Sequence, residues 1–305
     1  MWHDLKLAAE TADRNHVGDS YLDVRLDALR SAQNSDGGWG YFPRKQSWLE
    51  PTVYAALALH GERAAEKAWS LLASWQRPDG SWRPAADVQI ASWGTALCVT
   101  LASARGEFGA PFRRGVECLL NSAGVESSLV NRTAARVGIL SVERNINLKG
   151  WPWKPNTSSW VEPTVHALVA LKKASAQFSG GDLRERVKMG EAQLLDVRCR
   201  DGGWNYGSRA ALAIDLPSYP ETTALALVGL QGQAGLGNSL ETASRMARET
   251  TSPLARAWFT IAMRVHGVEA PAPSGPPIPD ILVTALEALG WADGNHRFLK
   301  TGGAV

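Results

Sequence analysis

The stretch "AQNSDGGWGYFPRKQSWLEPTVYAALAL", residues 32–59, joins a Gly-Gly-Trp turn to an Ala/Leu-rich segment, with a second Trp just before it. Variants of the phrase recur at 75–102 ("WQRPDGSWRPAADVQIASWGTALCVTLA"), 147–171 ("NLKGWPWKPNTSSWVEPTVHALVAL") and 198–230 ("RCRDGGWNYGSRAALAIDLPSYPETTALALVGL"). The turn tryptophans Trp39, Trp82, Trp151 and Trp204 are spaced by 43, 69 and 53 residues. The later triplets Glu50-Pro51-Thr52, Trp93-Gly94-Thr95, Glu162-Pro163-Thr164 and Glu221-Thr222-Thr223 are spaced by 43, 69 and 59. Two independent markers drift nearly together, which is the signature of a repeat. The third unit carries an insertion of about 26 residues, 121–146, which is polar, lacks clear periodicity and is read as a loop or small excursion.

Each unit has the same grammar. An amphipathic segment comes first: "YLDVRLDALRSAQ" (21–33) places Leu22, Val24, Leu26 and Leu29 between charges. A turn follows in which glycine supplies a positive φ. Then comes a segment apolar nearly all round, such as "TVYAALALHG" (52–61) or "TALCVTLASARG" (95–106). A helix apolar on every face has to be buried on every face. Pro51 and Pro163 fall in its first turn, where a missing N–H leaves no intrahelical bond unmade.

The alternation continues through "SLETASRMARE" (239–249), "SPLARAWFTIAMRVHG" (252–267) and, after the Pro-rich linker 268–279, "PDILVTALEALGW" (279–291). Half-polar and fully apolar helices in alternation predict an all-α, two-layer architecture with six inner helices. Six such hairpins are expected to close into an (α/α)6 toroid over residues 20–292, with an N-terminal arm (1–19) and a C-terminal tail (293–305).

Bulk properties narrow the function. The net charge is +2, and no basic run exceeds two residues, so no nucleic-acid footprint is present. No stretch of 18 apolar residues exists to span a membrane, and the start lacks a signal-peptide pattern. Cys98, Cys118 and Cys199 have no metal-type spacing and read as buried thiols, so the cytoplasm is the expected compartment. Thirteen Trp against five Tyr and six Phe demand a structural or cavity-lining reason.

The lines "SAQNSDGGW" (31–39), "SWQRPDGSW" (74–82) and "VRCRDGGW" (197–204), with Gln33 and Gln76 each six residues before their Trp, resemble the QW repeat of squalene–hopene and oxidosqualene cyclases. Arg198 takes the Gln slot in the fourth unit, and the third has no Asp-Gly pair. The resemblance implies that Gln and Trp tie each turn to a neighbouring helix. It also implies an apolar, isoprenoid-like ligand without cofactor or metal, contact with a membrane surface as a peripheral option, and a homodimer as one way to rebuild a second toroid. Cyclases of this kind start a carbocation cascade from an Asp in a D-x-D-D-T-A motif inside a dry aromatic pocket. This chain has no D-x-D-D.

Laid against that motif, Glu-Pro-Thr puts Glu50 and Glu162 at the position of the proton-donating Asp, and Glu221 matches as well. These are the candidate acids; a Glu in a first helical turn also serves the macrodipole and free N–H groups. Trp48, Trp93, Trp160 and Tyr219 precede inner helices, while Tyr54, His166 and Trp258 lie on them. Together they are the candidate wall of an apolar cavity, with core packing as the other reading of each. The functional expectation is acid-initiated cyclisation or isomerisation. The alternative is a non-catalytic ligand-binding or scaffold toroid.

Overall fold

A computed structural model of the chain describes residues 21–139, 144–178, 181–211, 214–271, 275–291 and 294–301. The expected N-terminal arm lies outside these residues. The inner layer consists of α2 (Leu49–Ala58), α4 (Gly94–Arg105), α7 (Val161–Ala174), α9 (Pro220–Gly229), α11 (Pro253–Val265) and α12 (Ile281–Gly290). Each packs on the next in that order, and α12 packs back on α2, so the ring is closed as the repeat predicts. The outer layer consists of α1 (21–32), α3 (Arg63–Ser74), α5 (Ala110–Asn121), α8 (Gly181–Asp196) and α10 (Gly237–Glu249). Closure is reinforced across 262 positions of sequence: Arg25 of α1 pairs with Glu287 of α12 at 2.7 Å, with its guanidinium stacked on Tyr21. Here the structure departs from the simple amphipathic reading, since Val24 is exposed and Arg25 is buried.

The turn tryptophans hold the hairpins by one repeated set of bonds. The indole N–H of Trp39, Trp82 and Trp204 donates to the carbonyl ten residues earlier, Leu29, Leu72 and Leu194. Trp151 makes the equivalent bond to Leu119 across 32 positions, because the insertion intervenes. The backbone N–H of each Trp donates to a buried threonine hydroxyl at the start of the inner helix: Thr52, Thr95, Thr164 and Thr223. Gln33 bonds its own turn at Gly37 and reaches the Ala64 carbonyl of the next outer helix. Gln76 repeats this with Gly80 and Pro111. Buried polar groups are thereby satisfied, and consecutive units are stapled together.

The starts of the inner helices meet at one mouth of the ring: Ser252 at the start of α11 bonds Glu221 in the first turn of α9, and the Ile281 N–H at the start of α12 donates to the Tyr41 carbonyl beside α2. The opposite mouth is crossed by residues 294–301, where Asn295 donates to the carbonyls of Leu57 and Ala58 and Gln231 to that of Leu299. The insertion contains a 3-10 turn (Val125–Ser127) and a short helix, α6 (Leu129–Arg136). Two small hairpins complete the mouth: β1 (Trp151–Pro152) with β2 (Ser159–Trp160), and β3 (Ala210–Ala211) with β4 (Ile214–Asp215).

Candidate functional site

All three candidate glutamates fall in first helical turns at the shared mouth: Glu50 on α2, Glu162 on α7 and Glu221 on α9. None of these helices has a side-chain N-cap, whereas Ser252 caps α11 and Asp280 caps α12. The glutamates differ in their partners. Glu221 accepts from the Ser252 hydroxyl at 2.8 Å, which ties α9 to α11. Glu162 sits 3.8 Å from His166 Nε2, one turn along the same helix. Glu50 accepts from the Tyr41 hydroxyl at 2.6 Å.

Electrostatics single out Glu50. It touches some open space at the mouth, yet it is set deep among protein atoms. Burial, with the nearby Glu162 carboxylate and more weakly Asp280, pushes its pKa up to about 8, against a lowering pull from the Tyr41 hydroxyl. A carboxyl in this state keeps its proton at neutral pH. Burial first, and then the neighbouring Glu50 and Glu162 carboxyl groups, push the Tyr41 and Tyr54 hydroxyls well above the usual phenol range, so both remain donors.

The candidate aromatics separate into groups. Trp48 packs on Tyr41, ring centroids 6.2 Å apart, beside Glu50. Trp93 stacks on His166 at 5.1 Å and meets Trp153 edge-on at 5.0 Å. Trp160 and Tyr219 stand further out, about 40% exposed, and are bridged by Tyr206 at 6.1 and 5.2 Å. These three line a cleft of about 420 Å³ between the starts of α7 and α9. Tyr54, His166 and Trp258 come from alternate inner helices and meet on the ring axis, with centroids 5.6 to 6.4 Å apart. They are buried at 0%, 4% and 4% exposure, so they close the centre and form the floor of the mouth. The Tyr54 hydroxyl lies 3.4 Å from His166 Nδ1.

Sequence reasoning missed Tyr41, Trp153 and Tyr206. The signal was present: each stands two residues after a turn tryptophan, in "WGY", "WPW" and "WNY". Among the described residues, no group of three His, Cys, Asp or Glu is arranged to hold a metal ion. No helix there is long and apolar enough to cross a membrane.

No protein-family model matches the chain, and no curated protein matches it. Solved structures do match. One variant of the type II terpene cyclase MstE from Scytonema, in complex with its product merosterolic acid A, superposes with a TM-score of 0.55 at 18% identity, over 88% of this chain and 78% of that one. An MstE variant bound to its substrate, geranylgeranyl dihydroxybenzoate, gives 0.56 at 15% identity over 92% and 96%. A protein from Actinoplanes gives 0.52 at 20% identity over 89% and 79%. At these identities the likeness concerns architecture: the chain has the α/α toroid fold seen in type II terpene cyclases.

Proposed function

We propose that the mouth of the toroid binds an apolar, isoprenoid-like molecule and that Glu50 acts as a general acid on it, starting a cyclisation or isomerisation without a cofactor. The observation that carries this reading is the placement of the Glu50 carboxyl, bonded by the Tyr41 hydroxyl at 2.6 Å beside Trp48, in surroundings that push its pKa up to about 8. The fold supports it, since MstE, which shares the architecture, takes a geranylgeranyl-bearing substrate.

The chemistry follows from the pKa. Transfer of the Glu50 proton to the substrate leaves a carboxylate and a carbocation, which aromatic faces stabilise; a neighbouring C–H bond then gives its electron pair to the cation, forming an alkene, and its proton to a carboxylate of the mouth, Glu50 itself or Glu162. A raised pKa keeps the proton in place but weakens the acid. The proton acceptor best matched to Glu50 is therefore an epoxide oxygen, more basic than a plain alkene. Glu162, beside His166, is the second carboxylate of the mouth and contributes chiefly by holding up the Glu50 pKa. Glu221, engaged with Ser252, is a structural link in this scheme. Three unpaired cysteines fit a reducing compartment such as the cytoplasm.

The test is incubation of the protein and its Glu50→Gln variant with an epoxidised prenyl compound, followed by mass spectrometry and a binding titration. Ring-closed product from the wild type, lost in Glu50→Gln while binding persists, is the expected result. Binding without product by either protein turns the reading to a non-catalytic ligand-binding toroid. Absence of binding overturns the reading altogether.

A further inference from the structure

Among the described residues the outer layer is one helix short: α1, α3, α5, α8 and α10 back six inner helices. Each outer helix precedes its inner partner in the chain, but α12 is preceded by the Pro-rich linker 268–279. The open slot lies between α10 and α1, over α11 and α12. Two clefts of about 450 and 360 Å³ mark it, and they share Ala247 and Pro271. Tyr21 of α1, Arg256 of α11, Glu287 of α12 and Gly275 of the linker wall the larger one. Its floor consists of the small, buried Ala247, Ala257 and Thr260, which let a helix approach closely. The Tyr21 hydroxyl is buried with no hydrogen-bond partner among the described residues.

The outer helices α3, α5 and α10 press on the inner layer with one footprint. Buried residues stand at i, i+3 and i+7, with a small or slender one in the middle: Ala65, Ala68 and Leu72; Phe112, Gly115 and Leu119; Ser239, Thr242 and Met246. Residues 1–20, "MWHDLKLAAETADRNHVGDS", lie outside the described residues, and their sequence carries the same spacing in Leu5, Ala8 and Ala12. On a helical projection Ala9 joins that face, while Lys6, Glu10, Asp13 and Arg14 fall on the other side. The residue that follows is Tyr21, a wall of the larger cleft, so the segment joins the described chain at the slot itself.

We infer that residues 3–15 dock in this slot as the sixth outer helix and clasp the ring at its seam. Residues 16–20, with Gly18 among them, suffice as a helix–helix connection. An isolated helix of this length is marginal in water, so its order comes from laying the Leu5–Ala12 face on the slot. The site adjoins the Arg25–Glu287 pair, which fastens α1 to α12 where the ring closes. The clasp does not depend on any chemistry at Glu50.

The test is limited digestion of the full chain with trypsin, which cuts after Lys6 and Arg14 only when the segment opens. Slow cleavage at both sites is expected in the wild type. Ala8→Glu combined with Ala9→Glu should speed it at least about tenfold and lower the thermal midpoint by about 5 °C. Glu10→Gln, on the outer side, should change neither. Ala257→Phe fills the floor of the slot and should release the segment without altering it; if that variant does not fold, the segment variants still decide. Equal cleavage rates in the wild type and the double variant overturn the inference. So does protection that vanishes on dilution, which would place the segment on a second copy of the chain. None of these readouts bears on product formation from the epoxide probe, so the two readings fail separately.

Discussion

The Tyr41 hydroxyl donates to Glu50 Oε2 at 2.6 Å, joining the first turn of the chain to the first inner helix at the point where carboxylates crowd the mouth. Tyr41 also accepts through its backbone carbonyl from the Ile281 N–H, so this contact stands at the seam where the ring closes. Its consequences can be measured without knowing the substrate.

Glu50 makes stability depend on pH. The folded state holds the proton up to about 8, while the unfolded chain releases it at the ordinary carboxylate value near 4.5. Between these values the folded state binds more protons, so stability falls as pH rises through the window and levels off above it. Over the full window the loss is about 3–5 kcal/mol as an order of magnitude. Glu50→Gln removes this slope and is more stable than the wild type at alkaline pH. Tyr41→Phe removes a bond that favours the carboxylate, so the upper inflection moves to higher pH. Denaturant titrations across the window check both; an unchanged slope in Glu50→Gln would mean that the carboxyl is not protonated in the folded state.

The staples predict a graded pattern across the repeat. Gln33→Leu and Gln76→Leu each leave two part-buried carbonyls without the glutamine donor and cost about 1–3 kcal/mol. The two share no partner, so the double variant loses roughly the sum. Arg198 occupies the same slot in the fourth unit but makes no such bond among the described residues, so Arg198→Ala changes stability by no more than about 0.5 kcal/mol. Equal losses at all three positions would refute the assignment of these bonds as the tie between units.

The contrast shows what could be read in advance. Trp, Gly and Thr recur because every unit spends them on the same local bonds, and local bonds leave a periodic trace. Closure is legible only as an expectation, since the angle between units is set by side-chain packing between α12 and α2, which are far apart in sequence. The site was partly legible for the same reason. Glu50, Glu162 and Glu221 look identical in their triplets, and only tertiary neighbours distinguish them: Tyr41 beside the first, His166 beside the second and Ser252 on the third. α6 escaped notice because its apolar residues cluster near its ends and face outward, against the pattern that marks a packed helix.

The ring axis is filled by Tyr54, His166 and Trp258, so Trp258→Ala excavates the centre of the toroid. A loss of about 3–5 kcal/mol is expected, with the spread set by how far the neighbours collapse. If they hold, the new cavity is lined largely by apolar groups and takes up a benzene-sized probe, seen as an upward shift in thermal midpoint on adding it. Destabilisation below about 1 kcal/mol would mean that Trp258 does not support the floor.

Two glycines test how firmly a turn presses on its neighbour. Gly61 and Gly80 have almost the same backbone, φ +87° and +83°, but a Cβ at Gly61 would meet nothing within 4 Å, whereas one at Gly80 would fall on the Arg114 carbonyl of α5. Alanine at Gly61 pays only for the left-handed conformation, about 1–2 kcal/mol. Alanine at Gly80 carries the same strain and must also push a backbone carbonyl of the next outer helix aside, so its cost exceeds that of Gly61→Ala by several kcal/mol or prevents folding. Midpoints of denaturant unfolding for the two variants, measured side by side, isolate the clash from the strain. Equal midpoints would show that the Asp79-Gly80 turn does not bear on α5, and the stapling of consecutive units would then rest on Gln76 alone.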